Sequence, residues 1–297
     1  MPDVSVVIAS VNGLPEIDEC LSALERQQGG VDYEIIVANR CQNGTAEHIR
    51  RRFPRVRLLD FPEQLTIPEL RATAMAQAKA DIIVVTEDHC MAPENWLLEI
   101  MKAHKLGYMV VGGVIENGKT DRIIDWSVFF CEYSSAMLPI AGGEVKNIPG
   151  NNAAYKRAAL DLIDDGMKRN FWESFLHDEL RKKGVKLVLV PSIVIKHKKE
   201  FGFFYFLSQR FHYSRSFAGM RRALLPPARR LYYLLASPAL PFLMALRVTR
   251  HVLLEKKRFY KEFIFSLPFL SVFFISYAMG EFVGYLLGPG QSLKKVE

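Results

Sequence analysis

Apolar and polar positions change their period repeatedly along this chain, and each change marks an element. Residues 4–9 and 33–38 are short, nearly continuous apolar runs rich in β-branched residues, as expected of strands buried on both faces. Between them, residues 14–28 set Ile17, Leu21 and Leu24 on one side of a helix. Gly44 and Thr45 open a second helix that runs to Arg52, and residues 56–59 form a third strand. Residues 67–80 are helical, with Pro68 in the first turn, where its missing N–H costs nothing. Residues 81–86 form a fourth strand that ends on Glu87-Asp88-His89. Farther on, residues 110–115 and 185–190 read as strands, and residues 171–183 as a helix stopped by Gly184.

Strand and helix alternating in units of about twenty to thirty residues need crossover connections, and so predict an α/β fold with a mainly parallel sheet flanked by helices. Ligands of such sheets sit beyond the carboxyl ends of the strands. Polar clusters fall at those ends: Ser10 to Asn12, Asn39 to Asn43, and Glu87 to His89.

After about residue 200 the pattern changes. Residues 201–220 are amphipathic, aromatic and basic, and residues 231–246 and 263–287 are long apolar runs. The second run is long enough to cross about 30 Å of hydrocarbon. The first contains Pro238 and Pro241 and must extend past Arg247 to span, so it is a kinked crossing or an in-plane segment. Glu281 should face protein or the interface. The expected organisation is a catalytic domain at 1–200, an interfacial segment at 201–230, two hydrophobic membrane helices at 231–290 and a polar tail at 291–297.

The net charge of +7 matters through its placement. Basic residues concentrate at 196–199, 210–230 and 247–261, flanking apolar segments, which favours an anionic membrane lipid surface over nucleic acid. If both runs cross, the flanks at 221–230 and Lys294-Lys295 put both outer ends on the cytoplasmic side of the plasma (inner) membrane. Residues 251–262, also basic, would then violate the rule, a conflict that a re-entrant or monotopic pair avoids. Cys20, Cys41, Cys90 and Cys131 make no CxxC pair, so neither a disulfide framework nor a zinc site is expected. The N-terminal apolar run reads as a buried strand, not a signal peptide.

Glu87-Asp88-His89 offers potential ligands for a divalent cation, manganese or magnesium, and is equally well a polar turn. Glu173 and His177, four residues apart, share a helix face, with Asp178 at its edge; a carboxylate there suits a general base, or an ordinary solvated helix. Residues 149–153, with Gly150, Asn151 and Asn152, form a turn leading into a helix, either an acceptor-binding loop or a plain turn. His197 completes a metal site or decorates a basic surface.

Together these pieces resemble family 2 glycosyltransferases of the GT-A, Rossmann-like fold, over roughly residues 4–197. Ser5-Val6-Val7-Ile8 with Asn12 looks like that family's opening strand and turn, and Glu34-Ile35-Ile36-Val37 followed by Asn43-Gly44-Thr45 like its second strand and DGT turn. Arg71 in Glu69-Leu70-Arg71-Ala72 resembles the arginine ahead of the acidic motif, Glu87-Asp88-His89 stands at the DxD position, Gly150-Asn151-Asn152 at the acceptor loop and His177-Asp178 at the ED motif. The order and spacing carry the resemblance, no single motif being specific. It implies inverting transfer from a nucleotide-sugar donor to a lipid-linked or membrane-proximal glycan acceptor, with Asp178 as general base. It further implies donor binding by Ala9, Ser10, Asn12, Asn39, Arg71, Glu87 and Asp88, acceptor binding by Gly150, Asn151, Asn152, Trp172, Glu173 and His177, and metal ligation by Asp88, His89 and His197. Asn39 replaces the family's base-recognising aspartate, and Glu-x-His replaces DxD. These departures motivate an alternative, a catalytically degenerate GT-A-like membrane protein that binds a nucleotide or partner. A QxxRW signature of processive synthases is missing, which favours single addition.

Overall fold

Strand β1 (Val4–Ser10) is buried at every position, because a strand apolar on both faces needs cover on both. Burial of Val6, Val7 and Ile8, each 0% exposed, contributes roughly 1.5–3 kcal/mol per side chain. In the computed structural model, which describes Met1–Glu297, helix α1 (Glu16–Glu25) leads to β2 (Tyr33–Asn39), α2 (Thr45–Arg52) to β3 (Arg57–Asp60), and α3 (Ile67–Gln77) to β4 (Ile82–Glu87). These strands are parallel in the order β3-β2-β1-β4. Their register sets Ser10 beside Asn39 and Ala9 beside Glu87, so three carboxyl ends share one rim. Helix α3 begins with a capping box between Thr66 and Glu69, with a proline in its first turn.

Beyond β4 the sheet is mixed. The chain continues through β5 (Cys90–Met91), α4 (Trp96–Lys105), β6 (Val110–Asn117), α5 (Ile123–Tyr133), β7 (Gly143–Val145), β8 (Ala153–Lys156), α6 (Arg157–Leu160), α7 (Asp165–Asn170), α8 (Glu173–Lys182) and β9 (Leu187–His197). Strand β8 inserts between β4 and β6, antiparallel to both, and β5 and β7 are antiparallel to β9. The expected parallel arrangement therefore holds through Glu87, with β6 and β9 its one later instance. Residues 149–153 lead into strand β8, not into a helix as expected.

The chain forms two units, Met1–Gly118 with Ile140–Lys199, and Lys119–Pro139 with Glu200–Glu297. The first is the sheet with its helices. The second holds α5, α9 (Phe203–Leu224), α10 (Pro227–Ala236), α11 (Leu240–Arg250) and α12 (Tyr260–Leu287). Residues 119–139, expected within the first domain, belong to this second unit because α5 is aromatic on its inner side: the Phe130 and Phe263 rings meet at 5.8 Å. Its core is Val128, Phe201, Phe206 and Phe273. Helices α9 and α12 run parallel in close contact. Glycine makes that possible: a Cβ on Gly280 would stand 2.3 Å from Phe211 O, and one on Gly284 2.6 Å from Arg215 O. Glu281 faces inward, 6% exposed. Two stretches, Pro227–Glu255 and Lys257–Leu287, are long and apolar enough to cross a membrane.

Candidate active site

The rim where β1, β2 and β4 end is organised by Asp88, which is fully buried. Its Oδ2 accepts hydrogen bonds from Ser10 Oγ (3.1 Å) and the backbone N–H of Val11 (2.9 Å), Asn12 (2.8 Å) and Gly13 (3.0 Å). Its Oδ1 accepts from Asn12 Nδ2 (2.9 Å) and faces His89 Nδ1 (3.0 Å). Burial opposes ionisation, but the bonds from His89, Asn12 and Gly13 prevail and hold the carboxyl far below the usual range. Expected to bind donor and metal, Asp88 instead has both oxygens committed to the protein: it fixes the loop after β1 and orients His89.

That orientation has a consequence. With Nδ1–H donated to Asp88, His89 presents Nε2 toward Glu87 Oε2 (3.3 Å) and His197 Nε2 (2.9 Å). Burial disfavours charge on His89, yet the bonds to Asp88 and Glu87 raise its pKa to about 9. Burial and the neighbouring His89 charge push His197 well below its ordinary value. Burial acts against Glu87 as well, but His89, Arg71 and His197 hold it well below the usual carboxylate range. The donor atoms of Glu87, His89 and His197 all lie within 4.8 Å of one another. Glu87 Oε2 and His197 Nε2 converge on His89 Nε2 at 3.3 and 2.9 Å, near enough for the three to share one ion. One carboxylate and two imidazoles suit manganese better than magnesium. The residues present therefore fit a divalent cation, with Glu87 taking the place expected of Asp88.

A second carboxylate is tied to this cluster. The buried Arg71 donates through Nη2 to Glu87 Oε1 (2.7 Å) and through Nη1 to Glu173 Oε2 (2.9 Å), a two-pronged use of the guanidinium fork. Glu173 opens α8, and the backbone at Gly150 comes so near that a Cβ there would lie 2.4 Å from Glu173 Cδ. Asn151 Nδ2 donates to Glu87 Oε2 at 3.3 Å. Lys199, only 8% exposed, donates to Asn12 Oδ1 and brings a cation to the loop.

Other expected residues stand apart. Asp178 is 63% exposed and ion-paired with Arg181 on its own helix (2.8 Å), because five residues beyond Glu173 lie about 140° round the helix. His177 is fully buried, its Nδ1 against Asn147 Oδ1 and its Nε2 accepting from Tyr155 OH (2.7 Å), so it supports α8 and does not meet an acceptor. Asn152 is likewise internal: its Nδ2 bridges Val114 O and Ile193 O where the β6–β9 register shifts, and its Oδ1 accepts from Trp96 Nε1. Trp172 is buried as the N-cap residue of α8. Asn39 is consumed by Asp60 Oδ1 (2.9 Å) and the backbone of Cys41. The carboxylate it leaves at that edge is Asp60, 31% exposed, which the sequence pattern did not single out.

The sequence pattern of glycosyl transferase family 2 matches residues 5–163, more than half of the chain. No curated protein matches it in sequence. Among solved structures, the mannosyltransferase PcManGT from Pyrobaculum calidifontis, in complex with GDP-Man and Mn2+, superimposes with a TM-score of 0.61 at 18% identity, covering 96% of this chain and 87% of that one. S. aureus TarS gives 0.52 at 13% identity over 70% of this chain, which spans only 38% of TarS. TarS residues 1-349 give 0.53 at 12% identity, over 95% of this chain and 90% of that one. At such identities the likeness is one of fold.

Proposed function

Because the chain belongs to glycosyl transferase family 2 and is a glycosyltransferase, we propose that it performs an inverting transfer from a nucleotide-sugar donor to a hydroxyl of a lipid-linked or membrane-proximal glycan. The observation that carries this reading is the bridge Glu173–Arg71–Glu87, which fixes an accessible carboxylate at a set reach from the cation-binding cluster. Glu173 takes the role first assigned to Asp178. Its carboxylate removes the acceptor proton as that oxygen bonds to the anomeric carbon, and the nucleoside diphosphate departs from the opposite face, which inverts the configuration. Arg71 keeps the Glu173 carboxylate oriented, and Gly150 leaves it room. A divalent cation held by Glu87, His89 and His197 would offset the charge gathering on the leaving diphosphate. Arg71 and Lys199 add positive charge at the same rim. Manganese in the PcManGT complex supports the choice of ion, and GDP-Man there supports a nucleoside diphosphate sugar as donor. Asp60 stands in for Asn39 as the polar contact at the nucleoside end.

The two apolar stretches and their basic flanks support attachment to the plasma (inner) membrane with the sheet unit on the cytoplasmic side. The test is kinetic, with manganese and a panel of nucleotide-sugars, reading transfer or donor hydrolysis. Glu173→Gln keeps the bulk and the contact with Arg71 but removes the base, and lowers kcat by about 10²–10⁴-fold. Asp178→Asn leaves kcat within about twofold, as for an exposed ion pair. Undiminished turnover in Glu173→Gln would refute the assignment.

A further inference from the structure

We propose that the C-terminal helices lie in the plane of a single leaflet of an anionic bilayer and do not cross it. This rests on the membrane reading above and specifies its mode. Length permits crossing: the two apolar stretches hold 29 and 31 residues. The internal packing of the second unit forbids it.

Helix α9 runs beside α12 for most of its length. At its start, the Phe206 and Phe273 rings meet at 4.7 Å and Phe203 packs on Phe269 at 5.9 Å. At its middle, Ser276 Oγ donates to Leu207 O (2.8 Å), and Gly280 meets the α9 backbone at Phe211. At its end, Arg221 donates to Tyr285 OH (3.0 Å), and Gly219 abuts Pro289. A bilayer crossed by α12 is therefore crossed by α9. Yet α9 carries Arg210, His212, Arg215, Arg221 and Arg222, and it lacks the composition of a span. Charges at that density are costly in hydrocarbon.

The C-terminal tail points the same way. After α12 the chain turns and comes back along α9: Ser292 Oγ meets His212 Nδ1 (3.1 Å), Lys295 O accepts from Gln209 Nε2 (3.1 Å), and Glu297 accepts from Tyr205 OH (3.1 Å). Lys294, Lys295 and Glu297 thus lie level with the middle of α12, where a crossing helix would need lipid or apolar protein.

What remains for lipid is one side. Helix α12 exposes a stripe at Ile264, Ile275, Met279, Phe282 and Leu286, and the stretch before it exposes Leu235, Phe242 and Leu246. This is the geometry of an interfacial helix, whose apolar face sinks about 5–10 Å below the headgroups. The charge placement agrees. Arg229 and Arg230 lie near the start of the first stretch, Arg247 and Arg250 near its end, and Lys257 and Arg258 open the second. In the plane of a leaflet all of them reach the same anionic headgroups, whereas a hairpin through the bilayer strands one set on the far side.

The full chain tests this in cells. Arg229→Cys, Lys257→Cys and Gln291→Cys are treated with a membrane-impermeant maleimide in spheroplasts and in inverted membrane vesicles, the unsubstituted chain setting the background. In-plane attachment predicts that all three label in inverted vesicles and none in spheroplasts. Labelling of any two from opposite faces overturns it. A chain that stays in the supernatant when membranes are pelleted refutes the membrane reading itself. Independently, Phe242→Trp and Ile275→Trp should be quenched more by lipids brominated near the headgroup than by lipids brominated near the chain ends; the reverse order also overturns the proposal.

Discussion

At position 177 the imidazole is shut away from water between two neutral partners, Asn147 and Tyr155. Burial first, and the Arg71 charge second, lower its pKa to about 3. The unfolded chain binds a proton there below about pH 6.5 while the native one does not, so stability falls as pH drops through that value and keeps falling toward the native pKa. Going from about pH 7 to about pH 5, this one group removes up to about 2 kcal/mol. His177→Asn should flatten that limb by nearly one proton in denaturant titrations at several pH values; an unchanged slope refutes the buried neutral imidazole. Local sequence does not reveal that position 177 points inward. Helical spacing establishes that Glu173 and His177 share a face, but not which part of the face meets the sheet. Only the long-range contact of Arg71 with Glu173 singles out the first carboxylate and leaves Asp178 to water.

Among the elements, those legible from local pattern were the ones whose burial is complete. Strands β1, β2 and β4 are apolar on both faces, and their ends fell where expected. Strand β8 was not legible: Ala153 to Lys156 has no β-branched residue, and its place between β4 and β6 comes from antiparallel pairing that local sequence does not encode. Because of that placement the loop before β8 passes Glu173 at backbone distance. Gly150→Ala sets a Cβ within 2.4 Å of Glu173 Cδ and 2.8 Å of its Oε1, so the carboxylate must swing off Arg71. Overpacking of this kind costs about 1–3 kcal/mol in stability. The larger effect is on catalysis: kcat should fall about 10–100-fold with donor KM little changed, since the cation cluster is untouched. Parallel loss in both constants would mean that the loop serves donor binding.

On the scale of the whole molecule, every ligand atom of the cation cluster belongs to one of the two units, as do Trp96 and Trp172, whereas Trp126 belongs to the other. Replacing Trp126 by Phe therefore makes tryptophan fluorescence report the sheet unit alone. On the proposed reading, manganese with a nucleoside diphosphate binds the native cluster and not the unfolded chain, in which His197 is far from Glu87 and His89, and so stabilises by mass action. At about 100-fold excess over Kd the gain is about 2.7 kcal/mol, a rise in Tm of about 5–11 °C for a unit of this size. Prior treatment with EDTA should abolish the rise, and so should His197→Asn, because the remaining pair, Glu87 and His89, already satisfies one another and Asp88 without an ion. Glu173→Gln should keep the rise in full while losing turnover, which separates holding the donor from attacking it. A shift that survives EDTA, or that is the same in His197→Asn, places the nucleotide on protein groups alone and ends the case for the cluster as a metal centre.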